Sequence, residues 1–188
     1  MNLSTYQKQA ITTKIYADEA ALSYLALGLG GEASELFEKI KQNRRNITTL
    51  SDSEFELLAK EIGDSYWYLA GLAEETNQDL SDIYSDFSKD LPSDVKFDEV
   101  VDMLIVETGV ILEVFKKALR DDYKLFVTKR LTEDKFTKMN LAIAKILVIC
   151  EWLASFFGVS VSTILQQNVD KLASRAKRGT LSGSGDER

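Results

Sequence analysis

Gly30-Gly31-Glu32-Ala33-Ser34-Glu35-Leu36-Phe37-Glu38-Lys39-Ile40 and Lys60-Glu61-Ile62-Gly63-Asp64-Ser65-Tyr66-Trp67-Tyr68 each set a pair of carboxylates into an apolar helical pattern. Glu32 and Glu35 are three residues apart, as are Glu61 and Asp64. At that spacing two helical side chains share a face and can aim their oxygens at one point. At about 100° per residue, Leu22, Leu25, Leu29, Ala33, Leu36 and Ile40 fall within about 40° of one line, the core stripe of the first helix. Glu32 lies about 60° from that line and Glu35 about 120°, whereas Glu38 is nearly opposite. Glu32 is therefore expected to be half-buried and Glu38 solvated. Phe55, Leu58, Ile62, Tyr66, Leu69 and Ala73 form the stripe of the second helix. Leu57, Trp67, Tyr68 and Gly71 extend its apolar surface nearly all round, so Glu61 and Asp64 are expected in a largely buried setting. Four facing carboxylates repel unless cations lie between them, and hard divalent ions with oxygen shells, Mg²⁺ first, suit such a set.

One proline in 188 residues, with three-to-four spacing dominant and few alternating β-branched runs, predicts an all-α protein. The helices are expected over residues 4 to about 27, with Ser4 as N-cap, then through the first acidic pair. Residues 39–53 are expected as a loop, the second acidic helix runs from about residue 52 to 77, and a short helix capped by Ser81 ends at Phe87. Gly28, Gly30 and Gly31 permit a kink or a close helix contact. Lys89-Asp90-Leu91-Pro92-Ser93-Asp94 divides the chain into residues 1–91 and 92–188. The second half resembles a faded copy of the first. Residues 107–117 lie over 32–42, placing Glu107 at Glu32, Val110 at Glu35 and Glu113 at Glu38. Trp152-Leu153-Ala154 matches Tyr68-Leu69-Ala70, which puts Lys145 and Val148 where Glu61 and Asp64 stand. A gap of three residues then aligns the following helices. The expected architecture is a helical bundle of two repeats packed as a pseudo-dimer, with one acidic set per chain.

A net charge of −7 argues against broad adhesion to nucleic acid or anionic membrane. The absence of His excludes His-based triads, ordinary zinc sites and Glu-x-x-His di-iron bundles. A lone cysteine, Cys150, fits a reducing cytoplasm. No signal-peptide pattern is present and the apolar run 141–157 is interrupted by Lys145 and Glu151, so a cytoplasmic protein without a membrane span is expected. At the C-terminus Lys171, Arg175 and Arg178 follow one helix face and run into a Gly/Ser-rich tail. This is either a polyphosphate clamp or a cationic helix end with a frayed tail.

Gly31-Glu32-Ala33-Ser34-Glu35, Glu61-Ile62-Gly63-Asp64, Trp67-Tyr68-Leu69-Ala70 and Asn168…Lys171-Leu172…Arg175…Arg178-Gly179-Thr180-Leu181-Ser182-Gly183-Ser184-Gly185-Asp186 together resemble the MazG-like family of all-α nucleoside triphosphate pyrophosphohydrolases, in particular its short phage and bacterial members. The Glu-x-x-Glu and Glu-x-x-Asp motifs, with 25 residues between Glu35 and Glu61, fall within the family spacing. The resemblance covers residues 5–87 and 144–188; short members lack the intervening segment. It implies hydrolysis of (d)NTP to (d)NMP and pyrophosphate with Mg²⁺, or Mn²⁺ in its place, held by Glu32, Glu35, Glu61 and Asp64. Glu35 or Glu38 would orient or deprotonate the water, and Lys171, Arg175 and Arg178 would bind phosphate. Trp67, Tyr68 and Asn168 would contact the substrate, although Trp67 and Tyr68 read more readily as core aromatics. A homo-oligomer, a dimer of pseudo-dimers, is implied. The alternatives are a catalytically reduced nucleotide-binding protein, a helical interaction or regulatory module, or the same chemistry on dCTP, dUTP or phosphoribosyl-ATP.

Overall fold

A computed structural model describes residues 1–46, 50–88 and 90–182, most of them helical and none in a strand. Eight α-helices follow in order: α1 (Leu3–Ala10), α2 (Ala21–Asn46), α3 (Asp52–Glu75), α4 (Leu80–Phe87), α5 (Phe97–Asp121), α6 (Tyr123–Phe126), α7 (Glu133–Phe156) and α8 (Val161–Arg178). The all-α expectation holds. The tail residues 183–188, including Gly183, Ser184, Gly185 and Asp186, lie outside the described residues, as does Lys89 at the proposed boundary.

Local chemistry corrects several expected boundaries. The helix expected over residues 4–27 is interrupted: α1 is capped by Asn2, not Ser4, and stops at Ala10. Its end is fixed from a distance, because the Trp67 indole N–H donates to the Ala10 carbonyl at 3.1 Å and to Thr13 Oγ1 at 3.0 Å. A carbonyl and hydroxyl engaged in this way favour the 3₁₀ turn Ile11–Thr13, after which the chain becomes extended at Lys14. α2 continues to Asn46, through much of the expected loop. Ser51 begins α3 with a capping box, its own N–H donating to Glu54 Oε2 at 2.7 Å. Asp79, not Ser81, caps α4, accepting from the Ser81 N–H at 2.8 Å.

α3 and α7 form the centre of the bundle. α2 packs on α3 and α5, α5 on α7, and α8 on α1, α3 and α7. One hydrophobic core runs through both halves. α7 is long and apolar enough by length and composition to cross a bilayer, and here most of it is buried inside the bundle. Leu25, Leu29, Leu36 and Ile40 of α2 are buried, as are Val100, Leu104, Ile111 and Phe115 of α5.

For α3 and α7 the geometry gives a different register. Both helices have 24 residues. Asn77 and Gly158 end them with φ of 58° and 71°, and each turn carries a bond back five residues, Gln78 N to Ala73 O and Val159 N to Ala154 O. These anchors align the helices with no gap and put Lys145 over Asp64 and Ala142 over Glu61. The aromatic match of Tyr68 with Trp152 had placed Lys145 over Glu61. A turn conformation is the firmer anchor, because it fixes where a helix ends while an aromatic fits several core positions.

Candidate metal centre

Glycines set the approach of α2 to α3. A Cβ on Gly28 would lie 2.0 Å from Cε1 of Tyr68, and one on Gly71 would lie 2.5 Å from Cδ2 of Leu25. No side chain fits either position without displacing its neighbour. One helical turn beyond Gly28 stands Glu32, and one turn before Tyr68 stands Asp64, so this close contact brings the two acids face to face.

Glu32, Glu61 and Asp64 converge, with one carboxylate oxygen from each within 4.8 Å of the others. Glu61 is only 4% exposed, whereas Glu32 and Asp64 are half-buried. Burial first, then the charges of Asp64, Glu61 and Glu35, push the Glu32 carboxyl up to about 8. Positive charge reaches the cluster from two helices. Lys39 on α2 pairs with Glu61, and Lys171 on α8 donates to both oxygens of Asp64 at 2.6 Å. Asn168 Nδ2 donates to Asp64 Oδ1 at 2.7 Å. The donor set is all oxygen, the kind a hard divalent ion takes, and Lys39 and Lys171 offset the charge of Glu61 and Asp64. Mg²⁺ or Mn²⁺ would be held by Glu32, Glu61 and Asp64.

The other expected site residues divide. Glu35 is exposed and outside the trio, near enough for its charge to act on Glu32. Glu38 is exposed, ion-paired with Lys41 at 2.5 Å, and not a member of the trio. Arg175 is buried at 5% exposure and lines, with Glu32, Asp64, Tyr24, Trp67 and Tyr68, a cleft of about 100 Å³. Arg178 is exposed, its guanidinium donating to Ser174 Oγ one turn back. Trp67 is a buried aromatic that closes the floor of the cleft. Tyr68 is half-buried against Tyr24, with ring centroids 6.2 Å apart. Asn168 and Lys171 also border a wider groove of about 660 Å³ between α3 and α8, which Lys60, Gln167 and Thr163 line with them.

Three contributors escaped the sequence reading. Lys39 and Tyr24 stand seven residues after and eight before Glu32, on one ridge with Gly28, so helical spacing from Glu32 was the available signal. Tyr6 had no local signal: its hydroxyl donates to Asn168 Oδ1, 162 residues away, at 2.8 Å.

No protein-family model matches the chain, and no solved structure matches it significantly. It is 33% identical over 90 residues to the Gene 37 protein of Mycobacterium phage L5, a match spanning 44% of this chain and 79% of that protein. By this similarity the chain belongs to the family of the phage L5 Gene 37 protein.

Proposed function

We propose that the chain is a Mg²⁺-dependent nucleoside triphosphate pyrophosphohydrolase of the MazG-like kind, converting (d)NTP and water to (d)NMP and pyrophosphate. The observation that carries this reading is the convergence of Glu32, Glu61 and Asp64 beside a cleft that holds both a buried arginine and aromatic rings. Glu61 and Asp64 are paired with Lys39 and Lys171, and it is Glu32 that bears the cost of ionising among its neighbours, as a carboxylate poised for a cation does.

When bound, the divalent ion supplies charge neutralisation for the triphosphate and acidifies a water. The chain's own groups do the rest. Glu35, solvated at the edge of the trio, takes the proton as a water oxygen attacks the α-phosphorus. The bond from that phosphorus to the oxygen bridging the β-phosphate breaks, and its electron pair leaves with pyrophosphate. Lys171 and Arg175 stabilise the charge on the leaving group. Tyr68 and Tyr24 offer a stacking wall to the base, and Trp67 holds that wall in place. The cleft is smaller than a whole nucleotide, so the phosphates extend along α8 toward Lys171 and the wider groove. The substrate belongs to the soluble cytoplasmic nucleotide pool, and nucleic acid and membrane are not partners. The pseudo-dimer of two repeats, itself pairing into a homo-oligomer, belongs to the same reading.

A second reading has one observation in its favour. Lys39 and Lys171 already neutralise Glu61 and Asp64, as they would in a catalytically silent nucleotide-binding or interaction module. Product analysis separates the two. Wild-type protein with Mg²⁺ and a panel of ribo- and deoxynucleoside triphosphates is expected to give monophosphate and pyrophosphate, and Glu61→Gln to give neither. Nucleotide binding with no turnover for any base would select the silent reading.

A further inference from the structure

Asp64 is held by α8, a helix from the far end of the chain, through Asn168 and Lys171. Its neighbour Gly63 lets α8 come close: a Cβ there would meet Asn168 Cβ at 3.3 Å and Ile164 Cγ2 at 3.4 Å. That approach brings Asn168, 4% exposed, within 2.7 Å of Asp64. A buried amide has two nearly isosteric ends, and turning it over would set its oxygen against the Asp64 carboxylate. What holds the far end is Tyr6. Its ring is fully buried on α1, and its hydroxyl donates to Asn168 Oδ1 at 2.8 Å, with the Gly63 carbonyl at 3.4 Å. Burial, and then the nearby charge of Asp64, keep this phenol protonated far above the ordinary tyrosine range, so it remains a donor.

We propose that Tyr6 is a positioning residue of the carboxylate centre: its buried hydroxyl fixes the Asn168 amide, which in turn holds Asp64 turned toward Glu32 and Glu61. The role rests on the metal-centre reading above. It makes α1, which supplies no acid and no phosphate contact, part of the site. A group that orients a ligand through one intermediate affects metal affinity by about ten- to a hundredfold.

Tyr6→Phe removes only the hydroxyl, and two readouts test it. The first is Mn²⁺ affinity by calorimetry for wild type, Tyr6→Phe, Asn168→Ala and the double variant. About a tenfold weakening in Tyr6→Phe is expected, with little further loss when it is added to Asn168→Ala, since both act through one amide. The second is the Asn168 side-chain amide resonance in metal-free protein, expected to shift in Tyr6→Phe while backbone amides distant from Tyr6 stay in place. Unchanged Mn²⁺ affinity together with an unmoved Asn168 amide signal, in a variant that only melts earlier, would overturn the proposal and leave Tyr6 a packing residue. If wild type binds no Mn²⁺, and Glu61→Gln changes nothing, the metal reading fails. The amide resonance alone then decides for or against Tyr6.

Discussion

Glu32 is where the energetic tension of the centre gathers. Its carboxyl titrates near 8 in the folded chain against 4.5 for an ordinary glutamate, because ionisation would add a charge to a half-buried site beside Asp64 and Glu61. The folded protein thus binds more protons than the unfolded chain between these values, and metal-free stability falls as pH rises from about 4.5 to about 8. Discounted for the solvent screening of a half-buried carboxylate, on the order of 3 kcal/mol is expected to be lost across that window. Millimolar Mg²⁺ should remove the slope by pairing with the ionised form. Urea unfolding across the pH range with and without the ion measures both, and a slope of opposite sign, or none, counts against the cluster. Lys171→Met tests the other side: it leaves Asp64 with Asn168 as its remaining hydrogen-bond donor among those described above. About 1–3 kcal/mol of metal-free stability should go with it. At this scale the trio was legible only as part of a larger set, since three-residue spacing inside an apolar pattern marks Glu32, Glu35, Glu61 and Asp64 together. Spacing alone could not separate Glu35 from them, because a helix face is broad and only the partner helix decides which of two neighbours turns inward. Tyr6 was invisible, since its partner is distant in sequence.

Among the elements, the α2–α3 contact positions the centre. Gly28→Ala is expected to destabilise by about 1–3 kcal/mol through displacement of Tyr68, although alanine is the better helix former. Gly31→Ala is the matched control. A Cβ there meets nothing within 4 Å, so helix propensity should stabilise the protein by about 0.5–1 kcal/mol. Chemical unfolding of the two variants should give opposite signs, and a shared sign would mean that the Gly28–Tyr68 contact does not set the helix spacing. The long helices were readable from their stripes, and α8 runs to Arg178 as its basic spacing suggested. The break after Ala10 was not readable. No proline or glycine marks it; the indole of Trp67, on another helix, creates it.

For the molecule as a whole, the proposed alignment of the two halves sets Glu107 and Lys145 at the positions of Glu32 and Asp64. They form an ion pair at 2.8 Å, so a lysine ammonium supplies the charge that a cation would otherwise bring. Mn²⁺ titration should therefore report a single class of site per chain, abolished by Glu61→Gln and unaffected by Lys145→Met. A second class removed by Glu107→Gln would show that both halves bind metal. The apolar stripes of α2 and α5 were legible in the sequence, whereas the matching ends of α3 and α7 needed the left-handed turns at Asn77 and Gly158.

The most direct test of the central claim is turnover of the preferred deoxynucleoside triphosphate with Mg²⁺ in ¹⁸O-labelled water, with mass analysis of both products. The account predicts one ¹⁸O in the nucleoside monophosphate, none in the pyrophosphate, and no products from Glu61→Gln. Label in pyrophosphate, release of diphosphate and inorganic phosphate, or turnover that survives Glu61→Gln would contradict it.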